Sequence, residues 1–404
     1  MEITAIKALT VEGNFDWPLI KIETDTGITG IGEVRDHGRP DPTSRHAEVY
    51  HLDDPRDLAL DLESVLIGKD PRNVRGRFEE IRQYGGWGRR GGGVSGIEMA
   101  LFDIAGKYYD APVYQLLGGR YRDTVRIYCD CRAGEPVRDS AVDYRLDKND
   151  YTPQGYATHA EQRAAEGFDF LKFDLDPRAA EVVFGETGVQ NGHLTQAGLR
   201  YAEDVVAAIR AAVDDDLDIG LDCASLMSLT VGDGIRLGKV LDKYGIAAYE
   251  DVRPDGDVAG WETLTSSIET PTITGEDLYT MDGFRELIRR EAIDLVGPDL
   301  LTAGGIHQTV LIGNVANQHG IPANLHFAAS PVGFMASVHA AAAIKQLLAV
   351  EFHAIGVPWW ADLVDEGPLF EAGRAPVPDR PGLGVTLNEA VVREHARDVG
   401  DFFE

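Results

Sequence analysis

The repeating unit of this chain is visible at residues 270–299, which read TPTITGEDLYTMDGFRELIRREAIDLVGPD. An apolar run, Thr270–Glu276, ends in a carboxylate, and a helical stretch follows it. A second apolar run, Ala292–Asp299, again ends in a carboxylate. Short apolar runs bounded by turn residues are typical of buried strands, so this stretch predicts a strand, a helix and a strand in succession.

The same unit recurs from about residue 125 onward. The predicted strands are Val125–Asp130, Phe168–Asp174, Leu217–Asp222, Ala247–Glu250, Thr270–Glu276, Ala292–Asp299, Ile321–His326 and Leu347–Glu351. The strand-end residues from 222 to 351 are separated by 28, 26, 23, 27 and 25 residues, which suits one strand, one helix and two loops per unit. This alternation is typical of the α/β class, and eight such units predict a TIM-like barrel of parallel strands.

The first part of the chain has a different pattern. Strands are predicted at Ile3–Val11, Trp17–Glu23 and Ile31–Val34, joined by turn residues, and helices follow them. Ser95-Gly-Ile-Glu98 has the spacing of a capping box, which predicts that the helix Ile97–Tyr108 begins there. An α+β unit therefore precedes the barrel.

Composition and charge exclude several classes of protein. The chain of 404 residues has a net charge of −29, from 38 basic and 67 acidic residues, and such a field repels nucleic acid and anionic membranes. Neither a membrane span nor a secretory signal is recognisable. Three cysteines cannot build a disulfide framework, so we expect a cytoplasmic protein. The acid excess with only nine lysines resembles proteins of a salt-saturated cytoplasm, which indicates a halophilic source.

Ionisable side chains end seven successive predicted strands. They are Lys172 with Asp174, then Asp222, Glu250, Glu276, Asp299, His326 and Glu351. In a TIM-like barrel the carboxyl ends of the strands form the active site, so we expect these side chains to meet at one mouth. One terminal acid could simply cap a helix, but seven groups in register indicate a functional site.

Three of these acids predict a metal site. Asp222, Glu250 and Glu276 follow adjacent strands, and their carboxylates repel one another unless a cation lies between them. Oxygen ligands without His or Cys favour a hard divalent ion such as Mg²⁺ over zinc. The sequence therefore predicts one Mg²⁺ per subunit, and its place beside a base favours a catalytic over a structural ion.

Several motifs together resemble a known family. Ser95-Gly-Ile-Glu-Met-Ala-Leu-Phe-Asp-Ile-Ala-Gly-Lys107 and Pro112-Val-Tyr-Gln-Leu-Leu-Gly-Gly119 are similar to the capping-domain signature of the enolase superfamily. The ordered strand-end set resembles its mandelate racemase and muconate lactonizing enzyme subgroup, including the sugar-acid dehydratases. Pro381-Gly-Leu-Gly-Val385 resembles the C-terminal return to the capping domain. The resemblance implies a capping domain at 1–124, a modified (β/α)7β barrel at 125–372 and a returning segment at 373–404.

The resemblance also implies roles for the catalytic candidates. Asp299 and His326 match an Asp–His dyad in which the imidazole is a general base. Lys172 matches the first lysine of a Lys-x-Lys motif that faces the developing enolate oxygens. Glu351 matches a carboxylic acid that hydrogen-bonds the same enolate. Substrate contacts are expected from Asp174, from His353 and, in capping-domain loops near Asp16–Trp17 and residues 35–37, from Arg35 and His37.

Two departures from the family pattern narrow the reaction. Asp174 replaces the second lysine, so a second base on the other face of the substrate is missing, and Ala224 replaces a residue that is His in some dehydratases. His326 could alone remove the α-proton and protonate the departing hydroxyl. We therefore expect a Mg²⁺-dependent dehydratase. The resemblance implies that its substrate is an aldonic sugar acid and that it is a homo-oligomer. A racemase, epimerase or cycloisomerase remains the alternative, and a non-catalytic binding protein a remote one.

Overall fold

The structure is a computed structural model that describes residues 1–35, 59–86, 92–131, 151–224, 227 and 229–404. Its first layer is an antiparallel sheet of β1 (Ile3–Glu12), β2 (Asp16–Thr24) and β3 (Gly30–Glu33). The helices beside it are α1 (Glu63–Leu66), α2 (Val74–Ile81), α3 (Gly92–Tyr109) and α4 (Val113–Leu116). This capping layer contains the three strands that the sequence predicts.

Two glycines let the sheet and its main helix come very close. A Cβ atom at Gly30 would collide with the backbone oxygen of Ala100, and one at Gly32 with that of Gly96. Both partners lie in α3, which is buried over most of its length. Glycine is therefore required at these two positions, because any side chain would push β3 away from α3.

The barrel follows the capping layer in the chain. Among the described residues, eight parallel strands pair in a ring that closes between its last and first members. The strands, in order around the ring, are β4 (Thr124–Asp130), β5 (Phe170–Asp174), β8 (Asp218–Asp222), β9 (Ala248–Glu250), β10 (Thr272–Thr274), β11 (Leu295–Val296), β12 (Ala323–Leu325) and β13 (Leu347–Phe352). The short hairpin of β6 (Val189–Gln190) and β7 (His193–Leu194) lies in the connection between the second and third strands.

Helices connect successive strands of the ring. They are α5 (Pro153–Ala165), α7 (Gln196–Ala212), α8 (Val231–Leu241), α9 (Val258–Thr265), α10 (Thr280–Arg289), α11 (Ile306–Gln318) and α12 (Pro331–Ala342), with the short α6 (Ala180–Phe184) before α7. In the described part of the chain the eighth strand is not followed by such a helix before the chain leaves the ring. The predicted (β/α)7β barrel with a capping layer is confirmed.

The last part of the chain returns to earlier elements. β14 (Arg374–Pro376) pairs antiparallel with β4, and α13 (Glu389–His395) follows it. Ala396 then forms a bridge with Val11 of β1, and the backbone N–H of Arg397 donates to the carbonyl of Thr10. The tail thus contacts both the barrel and the capping layer. Across the described ranges, no helix is long and apolar enough to cross a membrane.

A buried histidine connects three parts of this architecture. His339 of α12 accepts a hydrogen bond at Nδ1 from the backbone N–H of Tyr114 in α4, at 3.3 Å. Its Nε2 lies 3.2 Å from the carbonyl oxygen of Leu383 in the tail. Since Nδ1 accepts, Nε2 carries the proton and donates to that carbonyl. Burial lowers the pKa of His339 from 6.5 to about 4, so the folded protein holds a neutral imidazole.

We expect His339 to make the protein sensitive to acid. Because its pKa is lower in the folded state, the stabilisation is complete above the unfolded pKa and is lost as the pH falls toward the folded one. Its share of the free energy of unfolding should drop by on the order of 2 kcal/mol between about pH 7 and about pH 5. Denaturant unfolding of the wild type and of His339→Gln at both pH values measures this share. His319→Gln is the control, because His319 is exposed and its loss should leave the pH dependence unchanged. If the free energy of unfolding drops equally in the wild type and in His339→Gln, the assignment to His339 is contradicted.

Candidate active site at the mouth of the barrel

The parallel strands deliver the predicted polar residues to one end of the barrel. In register, Asp222 of β8 lies beside both Asp174 of β5 and Glu250 of β9, while an isolated bridge joins Asp299 to His326. Lys172 lies in β5, Glu276 two residues after β10, and Glu351 in β13. The side chains that end successive predicted strands therefore meet at one mouth.

An acid cluster occupies the centre of this mouth. Carboxylate oxygens of Asp222, Glu250 and Glu276 all lie within 4.8 Å of one another. Burial raises the pKa of Glu250 to about 8, although the charge of Lys172 opposes the rise. Burial also raises the pKa of Asp222 against the same lysine. At Glu276 burial acts in the same direction, but the charges of His326 and Arg35 keep its pKa well below the usual value. The cluster therefore concentrates negative charge that burial disfavours at Asp222 and Glu250, as a cation site does.

The acid cluster fits a hard divalent cation. All its donors are carboxylate oxygens, the ligands that Mg²⁺ and similar ions select. Among the described residues, Glu250 Oε2 finds no hydrogen-bond donor in suitable geometry, although Lys172 Nζ lies 3.3 Å from it. A buried carboxylate oxygen without a hydrogen bond is costly unless a cation binds it. These three residues could hold the ion.

Lys172 is the central cation of the described site. Its Nζ lies 2.9 Å from Glu351 Oε1 and 3.3 Å from Asp222 Oδ2, as well as near Glu250. Burial opposes its charge, but the carboxylates of Glu250 and Glu351 raise the pKa of the ammonium well above its usual value. Lys172 is therefore a fixed positive charge beside the acid cluster.

Asp299 and His326 form a buried dyad beside the acid cluster. His326 Nδ1 lies 2.8 Å from Asp299 Oδ2, and the backbone N–H of Leu301 donates to Asp299 Oδ1 at 2.7 Å. Although burial opposes its ionisation, Arg35 and His326 keep the pKa of Asp299 below its usual value. The carboxylate can therefore only accept, so Nδ1 carries the proton and Nε2 is the basic nitrogen.

His326 Nε2 faces the acid cluster. It lies 2.9 Å from Glu276 Oε2 and 3.7 Å from Glu351 Oε2. Burial alone would lower the pKa of His326, but the charges of Glu276 and Glu351 raise it to about 10. Because Glu276 is a candidate metal ligand, a bound cation would offset its charge, and the imidazole would then lose its proton more readily.

Arg35 lies against this dyad. The sequence predicts a substrate contact for Arg35, and the structure places its buried guanidinium next to Asp299 Oδ2, 3.0 Å from His326 Nδ1 and 3.4 Å from Glu276 Oε1. The residue follows β3, so it reaches the barrel from the capping layer. No periodicity or spacing could reveal a contact between residues so far apart in the chain.

Tyr128 is a site residue that the sequence analysis did not identify. Its hydroxyl donates to Glu351 Oε2 at 2.9 Å, and the backbone N–H of Phe327 donates to the same oxygen at 3.1 Å. Burial and the charge of Glu351 raise the pKa of Tyr128 well above its usual value, so it remains a donor. The sequence could have indicated this position, because Tyr128 lies two residues before the strand-end residue Asp130 and alternate residues of a strand share one face.

His353 contacts the capping layer at the rim of the mouth. Its Nε2 lies 3.0 Å from Asp130 Oδ2, while the amide Nδ2 of Asn14 lies 2.8 Å from its carbonyl oxygen and 3.2 Å from its Nδ1. Since that carbonyl can only accept, the Asn14 amide nitrogen is a donor, and Nδ1 accepts from it. His353 therefore links the turn between β1 and β2 to the barrel.

The remaining predicted substrate contacts are His37, Asp174 and the loop near Asp16–Trp17. His37 lies outside the described residues. Asp174 is at the mouth, and its carbonyl accepts a hydrogen bond from the Tyr156 hydroxyl. The turn near Asp16–Trp17 is formed by residues 13–15, while Asp16 and Trp17 begin β2 and the Trp17 side chain is buried against Trp359.

The prediction of a capping box at Ser95 and Glu98 is wrong. Helix α3 begins at Gly92, three residues before Ser95, so both residues belong to its interior positions and not to its first turn's cap. The Glu98 carboxylate instead accepts from the backbone N–H groups of Ile306 and His307, at the start of α11. Glu98 does cap a helix, but the N–H groups that it accepts from belong to a helix about two hundred residues away in the chain.

Known protein families and individual relatives match almost the whole chain. The Enolase C-terminal domain-like family matches residues 155–391, and the mandelate racemase / muconate lactonizing enzyme N-terminal domain matches residues 6–118. A D-xylonate dehydratase of Haloferax volcanii is 34% identical over 98% of this chain and 89% of its own length. A D-galactarolactone cycloisomerase of Agrobacterium fabrum is 27% identical over 98% of each chain.

Solved structures agree with these sequence matches. A mandelate racemase/muconate lactonizing enzyme-like protein from Rubrobacter xylanophilus superposes with a TM-score of 0.85 at 29% identity, over 99% of this chain and 98% of its own. The matches in sequence and in architecture therefore cover both the capping layer and the barrel. The chain belongs to the mandelate racemase and muconate lactonizing enzyme family of the enolase superfamily.

Proposed function

We propose that this enzyme is a hydro-lyase that dehydrates an aldonic sugar acid to a 2-keto-3-deoxy acid through an enediolate. Gluconate-, xylonate-, arabinonate- and galactonate-like acids are the candidate substrates. The observation that carries the proposal is the Asp299–His326 dyad beside the acid cluster, with Asp174 where a second lysine would stand. The dehydratase activity named for the Haloferax volcanii relative supports the same reaction class.

Asp222, Glu250 and Glu276 would hold one Mg²⁺ per subunit. When bound, the ion would supply a fixed double positive charge that stabilises the developing oxyanions of the substrate carboxylate. Lys172 contributes the protein's own positive charge at the same place, because its Nζ lies within 3.3 Å of two of these acids. The substrate carboxylate would therefore bind between Lys172 and the acid cluster.

The proton transfers would belong to His326. Asp299 keeps the proton of the imidazole on Nδ1, so Nε2 can accept the proton from the α-carbon. Glu351 would contact one oxygen of the enediolate through its Oε1, since Tyr128 and the Phe327 N–H both donate to its Oε2. Lys172, which lies 2.9 Å from Glu351, would stabilise the negative charge that develops there.

The elimination needs only one acid–base residue. The bond between C2 and its hydrogen breaks, the C3–oxygen bond breaks, and a C2–C3 double bond forms. His326 returns the proton to the departing 3-hydroxyl, which leaves as water. The resulting enol then tautomerises to the 2-keto acid. No oxidant or reductant is required, and a syn geometry lets both transfers occur on the His326 face.

An epimerase or cycloisomerase is the second candidate. It would use the same enediolate, but an epimerase would need an acid or base on the face opposite His326. Lys172 is the available group, since it approaches the acid cluster from β5, and the cycloisomerase activity named for the Agrobacterium fabrum relative favours keeping this candidate. A non-catalytic binding protein would leave the dyad and acid cluster without a use.

We expect keto-acid formation when the purified protein, in molar salt with Mg²⁺, is incubated with a library of aldonic and aldaric acids. The reaction in deuterium oxide is then followed by NMR at the α-carbon. Deuterium exchange or inversion without keto acid would replace the dehydratase proposal with the epimerase. Failure to bind Mg²⁺ at micromolar concentration, in a calorimetric titration, would point to the binding protein.

A further inference from the structure

Two buried glutamates of the capping layer hold the starts of two barrel helices. Glu98 of α3 accepts through Oε2 from the N–H of Ile306, at 2.8 Å, and through Oε1 from that of His307, at 2.9 Å. Ser95, one turn earlier in α3, accepts at its hydroxyl oxygen from the N–H of Gly304 at 3.0 Å. The first N–H groups of a helix have no partner within it, so α3 satisfies the start of α11.

Glu33, the last residue of β3, does the same for α12. Its Oε1 accepts from the N–H of Ser330 at 2.9 Å, and its Oε2 accepts from the Ser330 hydroxyl at 2.7 Å and from the N–H of Gly333 at 2.9 Å. Glu33 and Glu98 are both completely or almost completely buried. Burial raises the pKa of Glu33 to about 7 and that of Glu98 to about 8, although the hydrogen bonds that each carboxyl accepts oppose the rise. The contacts therefore depend on these hydrogen bonds and not on a full negative charge.

The barrel helices are shaped to receive these carboxylates. Gly305 has φ +91°, and a Cβ atom there would collide with Glu98 Oε2. A Cβ atom at Gly333 would lie 2.8 Å from Glu33 Oε2, which is too close for a real side chain. Both contacts therefore depend on a glycine at the start of the receiving helix, so the close approach involves both sides of the interface.

These two helices follow the strands that carry the dyad. Asp299 lies between β11 and α11, and its Oδ1 accepts from the N–H of Leu301 in the same connection. His326 directly follows β12, four residues before Ser330. Each connection is thus fixed at one end by a barrel strand and at the other by a capping-layer glutamate. Small displacements of reacting groups cost large factors in rate, so the anchoring of these connections matters for catalysis.

We propose that Glu33 and Glu98 are positioning residues of the proton-transfer dyad: by fixing the starts of α11 and α12 they hold Asp299 and His326 in register. The kinetic form of this inference rests on the proposed dehydratase function. Neither glutamate contacts the acid cluster through any hydrogen bond or ion pair of the described residues. They act through the backbone, from outside the mouth.

The variants Glu98→Gln and Glu33→Gln test this inference in the Mg²⁺-loaded enzyme. Each keeps the size of the side chain but replaces one accepting oxygen with an amide that repels the helix N–H groups. We expect kcat to fall by about 10-fold to 100-fold. The deuterium isotope effect for α-proton abstraction should rise, while the Mg²⁺ dissociation constant stays within about 2-fold because the ligands are untouched.

Asp103 offers a matched control on the same helix. It is fully buried in α3 and accepts from the N–H groups of Ile31 and Leu383, but it contacts neither α11 nor α12 through these bonds. Asp103→Asn should lower the free energy of unfolding without changing kcat or the isotope effect. An equal fall in kcat for Asp103→Asn at the same loss of stability would overturn the positioning role, as would unchanged kcat in both glutamine variants.

A second measurement does not need turnover. In protein with ¹⁵N-labelled histidine, the Nδ1–H resonance of His326 reports its hydrogen bond to Asp299, and His326→Asn identifies the signal. We expect this resonance to shift or broaden in both glutamine variants and to remain in place in Asp103→Asn. If a glutamine variant fails to fold, Ser330→Ala is measured in its place, because this substitution removes one donor to Glu33. An unchanged resonance would overturn the inference even if the wild type dehydrates no sugar acid, and a shift would support it in that case as well.

Discussion

Replacing His326 with asparagine should abolish dehydration while leaving the fold and Mg²⁺ binding intact. Asparagine can still donate a hydrogen bond to Asp299, but it cannot accept the α-proton or return one to the departing hydroxyl. A positioned acid–base group contributes about 10²-fold to 10⁴-fold to the rate, and here one residue would perform both transfers. We therefore expect a loss of at least about 10³-fold in kcat with the preferred sugar acid. Keto-acid formation measures the rate, and calorimetry measures the Mg²⁺ dissociation constant.

His319→Asn is the control for this substitution, because His319 is exposed at the end of α11. It should retain wild-type turnover. Exchange of the α-proton with deuterium oxide should disappear in His326→Asn together with keto-acid formation, since both depend on Nε2. Full activity of His326→Asn would refute the one-base mechanism. Retained exchange without dehydration would assign the first proton transfer to another group.

Replacing Glu250 with glutamine should separate metal binding from folding. The variant removes one proposed ligand of the ion. Substituting a residue that only hydrogen-bonds a ligand typically weakens metal binding by about 10-fold to 100-fold, and we expect a larger loss of Mg²⁺ affinity here. At a Mg²⁺ concentration of about 100 times the wild-type dissociation constant, the ion should stabilise the wild type by about 2.7 kcal/mol. The variant should gain less than about 0.5 kcal/mol under the same conditions. Thermal unfolding with and without Mg²⁺ measures both values.

Without Mg²⁺, the effect of Glu250→Gln on stability should be the opposite. Burial raises the pKa of Glu250 although Lys172 opposes the rise, so its carboxylate is disfavoured without a bound cation, and glutamine avoids this cost. We therefore expect the metal-free Glu250→Gln variant to be at least as stable as the metal-free wild type. Glu269→Gln, on an exposed side chain, should change neither value. A variant that binds Mg²⁺ as tightly as the wild type would exclude Glu250 as a ligand.

The barrel and its mouth could be predicted from the sequence because both depend on local patterns. Each strand is a short apolar run, and its last polar residue marks the edge at which all the strands end. The observed strands are often shorter than predicted: Thr272–Thr274 forms in place of Thr270–Glu276, for example, and Glu276 lies just beyond it. The order of the site residues survives such differences, since it depends on the number of strands and not on their limits.

Contacts between the capping layer and the barrel could not be predicted in this way. Arg35 and Glu98 both look like local features, a loop charge and a helix cap, yet their partners lie more than two hundred residues away. Local spacing carries no information about which helix start a carboxylate will meet. Tyr128 was missed for a related reason, because a tyrosine in a strand is normally a packing residue. The division of the chain at residues 124 and 372, the assembly state and the halophilic adaptation stay predictions.

The return of the tail to β1 affects the order in which the chain can be completed during synthesis. The bridge between Val11 and Ala396, and the hydrogen bond from Arg397 to Thr10, join residues that leave the ribosome before and after the entire barrel. Until Ala396 is made, this part of β1 presents unpaired backbone groups, and an exposed strand edge invites pairing with other chains. The edge of β1 therefore stays unpaired while the barrel is synthesised, a period in which aggregation competes with folding.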